Sequence, residues 1–330
     1  MQPDPSKIRA LLKKTQHHDK DERFMATSDL ATELEKVEGQ LDSSLQTPIR
    51  DAILKQLDDP SNDVQSIACK CLCSIVQKFV CEQVEEIVDK LGSLLVNGKF
   101  ELRDIYSIAL KNIISSVPED FGAQIAKKLV RRLLQGLKKQ KSKKDTDEEQ
   151  KEEERNHFNR LIACLDIMKD LTGRFGFMMT EDHKSILETI QPMLSDSKVE
   201  IRKKVAITLG AIVGSVNDDL FNGLMKQVIE VIKNVDFHDE KLFTFIQAVG
   251  IFARNAGQRV SVYLKDIVPL LIKICTDEKV TEDNGEAAID LRENCLQTFD
   301  VMIIQCPKQM LEHTEDLMKV GLSLMTYDPN

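Results

Sequence analysis

The stretch IRKKVAITLGAI, Ile201–Ile212, contains a pattern that returns about every 40 residues along the chain. Arg202 is followed three residues later by the apolar Val205, and four residues after that by the large aliphatic Leu209. A period near 40 residues is typical of HEAT and armadillo repeats, in which each repeat is a pair of antiparallel helices. The residues that occupy the Arg202 slot in the other copies are Arg23, Gln65, Arg103, Arg160, Phe243 and Arg292.

This period predicts an all-α protein, a HEAT-repeat α-solenoid in which antiparallel helix pairs form a right-handed superhelix of about seven and a half repeats. Each repeat has an A helix, a tight turn and a B helix, and the recurring slot lies early in the B helix. Pro192 and Pro269 should kink their A helices. The predicted pairs are Ser6–Thr15 with Asp21–Val37, Leu45–Asp58 with Asn62–Phe79, Glu82–Val96 with Lys99–Ser116, Gly122–Gln140 with Asn156–Arg174, Glu181–Leu194 with Val199–Val216, Asp218–Asn234 with Asp239–Ala256, and Ser261–Cys275 with Ala287–Gln305.

An eighth A helix, Lys308–Met325, has no B helix after it. A solenoid normally ends in a polar capping repeat, because its last layer would otherwise expose apolar surface. We therefore expect residues 1–330 to form a single solenoid that is the N-terminal portion of a longer or split protein.

Two insertions lengthen the spacing between repeats. Residues 277–286 predict an acidic loop, and residues 141–155 predict a charged loop. The second follows a basic run that suggests an anion-binding or nuclear-localisation patch. Acidic residues from Asp145 to Glu154 lie within a Debye length of it, however, and favour a disordered loop that compensates its own charge. The basic run consists of Lys127, Lys128, Arg131, Arg132, Lys138, Lys139, Lys141, Lys143 and Lys144.

Composition argues against several classes of protein. A net charge of −9 and the absence of tryptophan disfavour nucleic-acid binding, which needs a basic footprint or stacking aromatic residues. No apolar run approaches the ~20 residues of a membrane helix, and no secretory signal begins the chain, so we expect an intracellular protein without a membrane partner.

No motif predicts catalysis. The pair His17-His18 is better explained as a solvated turn, and no nucleophile, Walker loop or dinucleotide fingerprint is present. Cys69, Cys71 and Cys73 superficially resemble a metal site, but a helix separates Cys71 from the other two. We interpret these cysteines as core thiols and predict a non-enzyme with no catalytic, cofactor-binding or metal-binding residues.

The recurring arginines suggest a ladder of ion pairs. An arginine at one register of successive B helices can pair with an acidic side chain in the adjacent layer, and contact with a partner protein is the alternative. Acidic neighbours such as Asp21, Glu101, Glu200 and Asp290 favour the ladder.

Several stretches resemble the cullin-associated and neddylation-dissociated proteins. DKDERFMATSDLATEL, Asp19–Leu34, is similar to that family's first B helix, and ELRDIYSIALKNII, Glu101–Ile114, to its third. The seventh repeat is similar in VYLKDIVPLLIKIC and RENCLQTFD, Val262–Cys275 and Arg292–Asp300, and the resemblance continues through CPKQM to the closing TYDPN. It runs in register over nearly the whole chain and departs from the family at the two insertions.

The resemblance implies a regulatory scaffold that binds a cullin and its RING-box subunit when the cullin is unneddylated. The N-terminal part would wrap the cullin C-terminal region beside the RING subunit and block the neddylation site, within a factor that exchanges substrate receptors. The C-terminal part of the family is a further candidate partner, and a cytoplasmic and nuclear location is expected. A HEAT-repeat nuclear transport receptor or another protein-binding scaffold is the alternative. Candidate partner-binding residues in the opening repeat are His18, Lys20 and Glu22.

Overall fold

The computed structural model describes residues 4–142, 146–237, 239–277 and 285–325. These residues are helical wherever they are regular, which confirms the all-α prediction. They group into two compact units, Met1–Asp182 and His183–Asn330, and the single solenoid expected over residues 1–330 stays a prediction. Each unit is described by itself.

In the first unit, odd-numbered A helices form one layer and even-numbered B helices form the other. Asp4, Asp19 and Asp42 cap three of these helices, each accepting a hydrogen bond from an amide in the first turn. The helices are α1 (Pro5–Lys14), α2 (Lys20–Glu35), α3 (Ser43–Gln56), α4 (Asn62–Lys78), α5 (Cys81–Asn97), α6 (Arg103–Ser116), α7 (Gly122–Lys138) and α8 (Asp147–Phe175).

The second unit continues the alternation of A and B helices. Its B helices α10, α12 and α14 pack side by side. Its helices are α9 (His183–Ile190), α10 (Val199–Val213), α11 (Asp218–Asn234), α12 (Glu240–Ala256), α13 (Leu264–Thr276), α14 (Glu286–Gln305), α15 (Pro307–Met310) and α16 (Thr314–Met325).

Proline affects the A helices differently from the prediction. The helix expected over Glu181–Leu194 ends at Ile190, and a 3₁₀ segment, Gln191–Ser195, takes its place around Pro192. Proline has no amide hydrogen to continue the α-helical ladder, so the change of helix type begins beside it. Pro269 lies within the continuous helix α13, and the bend expected there stays a prediction. The eighth A helix is also interrupted, since a 3₁₀ turn, Leu311–His313, separates α15 from α16.

The charged loop predicted at 141–155 is wrong for its second half, because α8 begins at Asp147. The Thr146 hydroxyl accepts a hydrogen bond from the Glu149 amide at 3.3 Å and donates one to the Glu149 carboxylate at 3.0 Å. This N-cap, with acidic residues in the first turn, favours a helix start at this position. Residues 143–145 lie outside the described residues, as do residues 278–284 of the predicted acidic loop.

Gly136 shows how closely the layers of the first unit approach. A Cβ atom built on Gly136 would lie 2.6 Å from Cys164 Sγ on α8 and 2.8 Å from a Val96 methyl group on α5. Only a residue without a side chain fits where these three helices meet.

Candidate protein-binding surface

The recurring slot has a shared structural role. At five of the seven slots the side chain donates hydrogen bonds to backbone carbonyls at the end of the preceding A helix or in the turn after it. Gln65 donates to Asp59 O at 2.7 Å, Arg103 to Leu95 O at 3.0 Å and Arg160 to Lys139 O at 2.8 Å. Arg23 and Arg202 also bond turn carbonyls. Carbonyls at a helix end have no intrahelical partner, so the slot satisfies groups that the hairpin itself leaves open.

The predicted arginine ladder is confirmed in part. Arg23 pairs with Asp59 of the next repeat at 2.7 Å, and Arg202 lies 3.5 Å from Glu240. The ladder is wrong at Arg103 and Arg160, whose guanidinium groups contact the Asn156 amide and the His157 ring instead. Both side chains are buried, and burial lowers the pKa of each guanidinium. Neutral carbonyl and amide acceptors satisfy the donors in this setting without burying a second charge.

A ladder of ion pairs lies instead on the A helices of the first unit. Arg50 on α3 pairs with Glu86 on α5, and Arg132 on α7 binds Asp89 of α5 through two hydrogen bonds, at 2.8 and 2.7 Å. The hydrogen bonds from Arg132 hold the pKa of Asp89 below its usual value. These pairs line a groove of about 620 Å³ across α3, α5 and α7. Ion pairs therefore link α3 to α5 and α7 to α5 across this groove.

The B helices of the first unit expose a face of mixed polarity, which we call the B face. Two large apolar side chains lie exposed on it, Met25 on α2 at 57% and Ile108 on α6 at 48%. Lys111 and Asp166 form an ion pair across α6 and α8 at 3.7 Å. Exposed apolar side chains among polar ones are typical of protein contact surfaces. The B face comprises Met25, Asp29, Ser66, Lys70, Ile108, Lys111 and Asp166.

The B helices of the second unit show the same character. Ile207 on α10 and Leu296 on α14 are exposed. Lys203 of α10 lies 5.9 Å from the centre of the Phe243 ring on α12, close enough for a cation–π contact. Apolar side chains outside the buried stripe of a B helix are therefore present in both units.

The candidate partner-binding residues His18, Lys20 and Glu22 are exposed where α1 turns into α2. The His18 ring lies tilted against the His17 ring with centroids 4.2 Å apart, and Glu22 forms a solvent-exposed pair with Lys14 at 3.4 Å. Their role in binding stays a prediction. Met25 lies on the same helix and was missed from the sequence. The sequence signal for Met25 is its place one position before Ala26: Ala26 lies in the buried stripe of the helix, so the apolar Met25 lies outside it.

Cys69 and Cys71 are core residues, as predicted, whereas Cys73 is only half-buried, so the prediction of a core thiol is wrong there. Cys69 and Cys71 are both buried, and burial raises the pKa of Cys69 to about 11 and that of Cys71 to about 12. Among the residues that the structure describes, no three histidine, cysteine or acidic side chains gather as a metal site would require. Nor does any described helix combine the length and apolar character needed to cross a membrane.

Comparison with known proteins identifies the class. The HEAT repeat family matches residues 49–79, which include the second half of α3 and all of α4. A crystal structure of importin beta covers 98% of this chain and 46% of its own, with a TM-score of 0.58 at 12% identity. Kap121p bound to RanGTP covers 96% of this chain and 36% of its own, with a TM-score of 0.51 at 11% identity. These likenesses concern the fold, and the protein is a HEAT-repeat α-solenoid.

Sequence relatives narrow the class further. Cullin-associated NEDD8-dissociated protein 1 of Arabidopsis thaliana is 32% identical over 94% of this chain and 24% of its own length. Cullin-associated NEDD8-dissociated protein 2 of Mus musculus is 32% identical over 98% of this chain and 25% of its own length. A relative from Emericella nidulans, the N-terminal part of cullin-associated NEDD8-dissociated protein 1, is 22% identical over 89% of this chain and 90% of that N-terminal part. The chain belongs to the cullin-associated NEDD8-dissociated family, and it spans about a quarter of the length of the first two relatives.

Proposed function

We propose that this protein is a regulatory scaffold that binds unneddylated cullin–RING complexes. The observation that carries the proposal is identity of 32% with cullin-associated NEDD8-dissociated proteins over nearly the whole chain. The exposed B face supports it, because Met25 and Ile108 offer apolar contacts on a helical surface. In this proposal the chain wraps the C-terminal region of the cullin beside the RING-box subunit, in both the cytoplasm and the nucleus.

Occlusion is the proposed mechanism. A scaffold laid over the lysine that accepts the modifier blocks neddylation without any chemistry of its own. Two ligands that weaken each other on one cullin must do so by the same factor, whichever binds first. A neddylated cullin would therefore lose affinity for this chain, and the bound chain would resist neddylation.

Substrate-receptor exchange would require more of the family than this chain spans. Separating linked binding modules removes their avidity, which is often ~10²–10⁴ fold. We therefore expect this chain alone to bind the cullin–RING pair weakly and not to exchange receptors.

The C-terminal part of the family is a second proposed partner. Ile303 of α14 and Leu311 and Met318 beyond it are exposed around an apolar groove of about 420 Å³. Stacking repeats bury such faces against the next repeat.

A pull-down with neddylated and unmodified cullin–RING complexes tests the proposal. Preferential capture of the unmodified complex is expected. Equal capture of both, or capture of neither, would contradict it. Capture by a nuclear-transport GTPase would favour the alternative of a transport receptor, for which the structural likeness to importin beta supplies only the fold.

Two charge-introducing substitutions on the B face sharpen the test. Met25→Glu with Ile108→Glu should lower affinity for the cullin–RING pair at least about tenfold, because each puts a carboxylate into an apolar contact. Val262→Glu is the matched control, since Val262 is 62% exposed but precedes the A helix α13. If the control loses as much affinity as the double variant, the B face is not the binding surface.

A further inference from the structure

Helix α7 presents a stripe of hydrogen-bond donors to solvent. Its sequence, GAQIAKKLVRRLLQGLK, contains no acidic residue. Its buried side chains fall on one side and its exposed residues follow helical spacing on the other, over about 21 Å. All members of the stripe are cations or amides, so each can donate to an anionic group. We call this set the α7 stripe, and it consists of Gln124, Lys127, Arg131, Gln135 and Lys138.

The stripe keeps most of its positive charge. Arg131 and Lys138 form no ion pair with any residue that the structure describes, and Lys127 lies 3.7 Å from Glu181 in a pair that is exposed on both sides. Exposed pairs of this kind are weak. Arg131 helps to lower the pKa of Asp89 through space, but Asp89 is already occupied by two hydrogen bonds from Arg132.

The acidic run that follows does not cover the stripe. Within the described residues, Lys141 and Glu154 provide the ion pair between the basic and acidic runs, at 3.9 Å. Both residues lie beyond the C-terminal end of α7 at Lys138. Arg131 and Lys138 therefore have no direct ion pair with the described acidic residues of that run, and the compensation of charge over longer distances stays a prediction.

An apolar knob adjoins the N-terminal end of the stripe. Phe177 is 79% exposed and Met178 is 47% exposed in the 3₁₀ turn after α8. Met178 lies against the start of α7, since a Cβ atom on Gly122 would be 2.8 Å from its sulfur. A phenylalanine this exposed at the end of a stripe of hydrogen-bond donors is typical of a contact surface rather than of a core.

We propose that the α7 stripe and the knob together bind an acidic peptide segment of a partner protein. An extended segment of about six or seven residues matches the length of the stripe, about 21 Å. Its carboxylates accept hydrogen bonds from Arg131 and Lys138, and an apolar side chain at one end packs on Phe177. This surface lies on the A-helix side, away from the B face that we propose for the cullin.

The flanking charges favour a narrow peptide over an anionic membrane. Glu85 and Asp89 on α5 border the stripe on one side, and Glu181 lies at its end. A flat layer of anionic headgroups would bring its charge against these carboxylates, whereas a single extended strand can follow the cations between them.

Fluorescence anisotropy with a labelled peptide, a phenylalanine followed by a run of glutamates, tests the proposal on the full chain. Arg131→Glu with Lys138→Glu should weaken binding at least about tenfold, and added salt should weaken the wild-type complex. Lys13→Glu with Lys55→Glu is the matched control, because these exposed lysines lie on α1 and α3 and give the same change in charge. Replacing the peptide's phenylalanine by alanine should weaken binding to the wild type but not to Phe177→Ser.

Two results would overturn the proposal. One is equal loss of peptide binding in the control and in the stripe variant, with circular dichroism showing both to be folded. The other is failure to bind the peptide while phosphatidylserine vesicles are captured in a manner that depends on Arg131 and Lys138, which would assign the stripe to a membrane surface.

Discussion

Arg23 and Asp59 form a two-point ion pair that joins the first repeat to the second. The Arg23 Nε atom donates to one carboxylate oxygen at 2.7 Å, and Nη2 donates to the other at 2.8 Å. The side chains are only 13% and 8% exposed. Asp59 lies in the turn between α3 and α4, so the pair connects α2 to the neighbouring hairpin. Paired donors in a fork of this kind are stronger and more specific than a single exposed contact.

Asp59→Ala should destabilise the protein by about 2–3 kcal/mol, because it leaves the shielded Arg23 guanidinium without its carboxylate. Urea unfolding followed by circular dichroism measures the change. Asp300→Ala is the control, since Asp300 is exposed on α14, and it should change stability by less than about 0.5 kcal/mol. Equal effects of the two substitutions would show that the ion pair contributes nothing.

The same pair predicts a pH dependence of stability. Burial would raise the pKa of the Asp59 carboxyl, but hydrogen bonds from Arg23 and from the Ser61 amide hold that pKa below its usual value. A pKa that is lower in the folded state stabilises the fold fully above the unfolded value, about 3.9, and the contribution disappears as pH falls through the folded value. The stability difference between wild type and Asp59→Asn should therefore be constant near neutral pH and shrink in acid. A difference that grows on acidification would refute this assignment.

Gly136→Ala should destabilise the protein by about 1–3 kcal/mol, because the new methyl group meets Cys164 and Val96 in a packed interior. Gly173→Ala is the matched control, since a Cβ atom there has nothing within 4 Å. That control should stabilise α8 by about 0.5–1 kcal/mol. Thermal unfolding compares the two, and adding Cys164→Ala should restore part of the loss at Gly136. Without any such recovery, the proposed contact is not the cause.

Cysteine reactivity should separate the buried thiols from Cys73 and Cys81, which are half-buried. Burial raises the pKa of Cys81 to about 11, which slows its reaction relative to that of Cys73. Burial raises the pKa values of Cys71 and Cys164 to about 12 each, so few of their thiolates exist at neutral pH. Iodoacetamide labelling followed by mass spectrometry should modify Cys73 first in the native protein, and all eight cysteines after unfolding. Labelling of Cys71 at the same rate in native and unfolded protein would contradict its burial.

Apolar periodicity predicted most helices of this fold because each helix buries one apolar stripe against a neighbouring layer. Asp218–Asn234, for example, was predicted with the bounds that α11 has. The start of α8 was missed because a run of like charges suggests disorder, whereas the N-cap that Thr146 provides acts locally and favours a helix. At this position the hydrogen bond of the Thr146 cap decided the local structure, although the charged composition of the segment suggested a loop.

Contact partners were harder to predict than helices. The slot of Arg103 and Arg160 was visible in the sequence, but its acceptors are backbone carbonyls, which every residue has and which therefore leave no pattern. Met25 and Ile108 were equally hard to find, because a single exposed apolar residue resembles a core residue until burial is known.

Gln65, Arg103 and Arg160 each donate a hydrogen bond to a carbonyl of their own helix pair. Each of these hairpins is therefore stabilised by a bond that lies within it. A bond of this kind does not depend on the neighbouring repeat, although Arg103 also donates to Asn156 of the next one. The same bond also bridges an enlarged turn, because Arg160 still reaches Lys139 O although the connection between α7 and α8 carries the insertion.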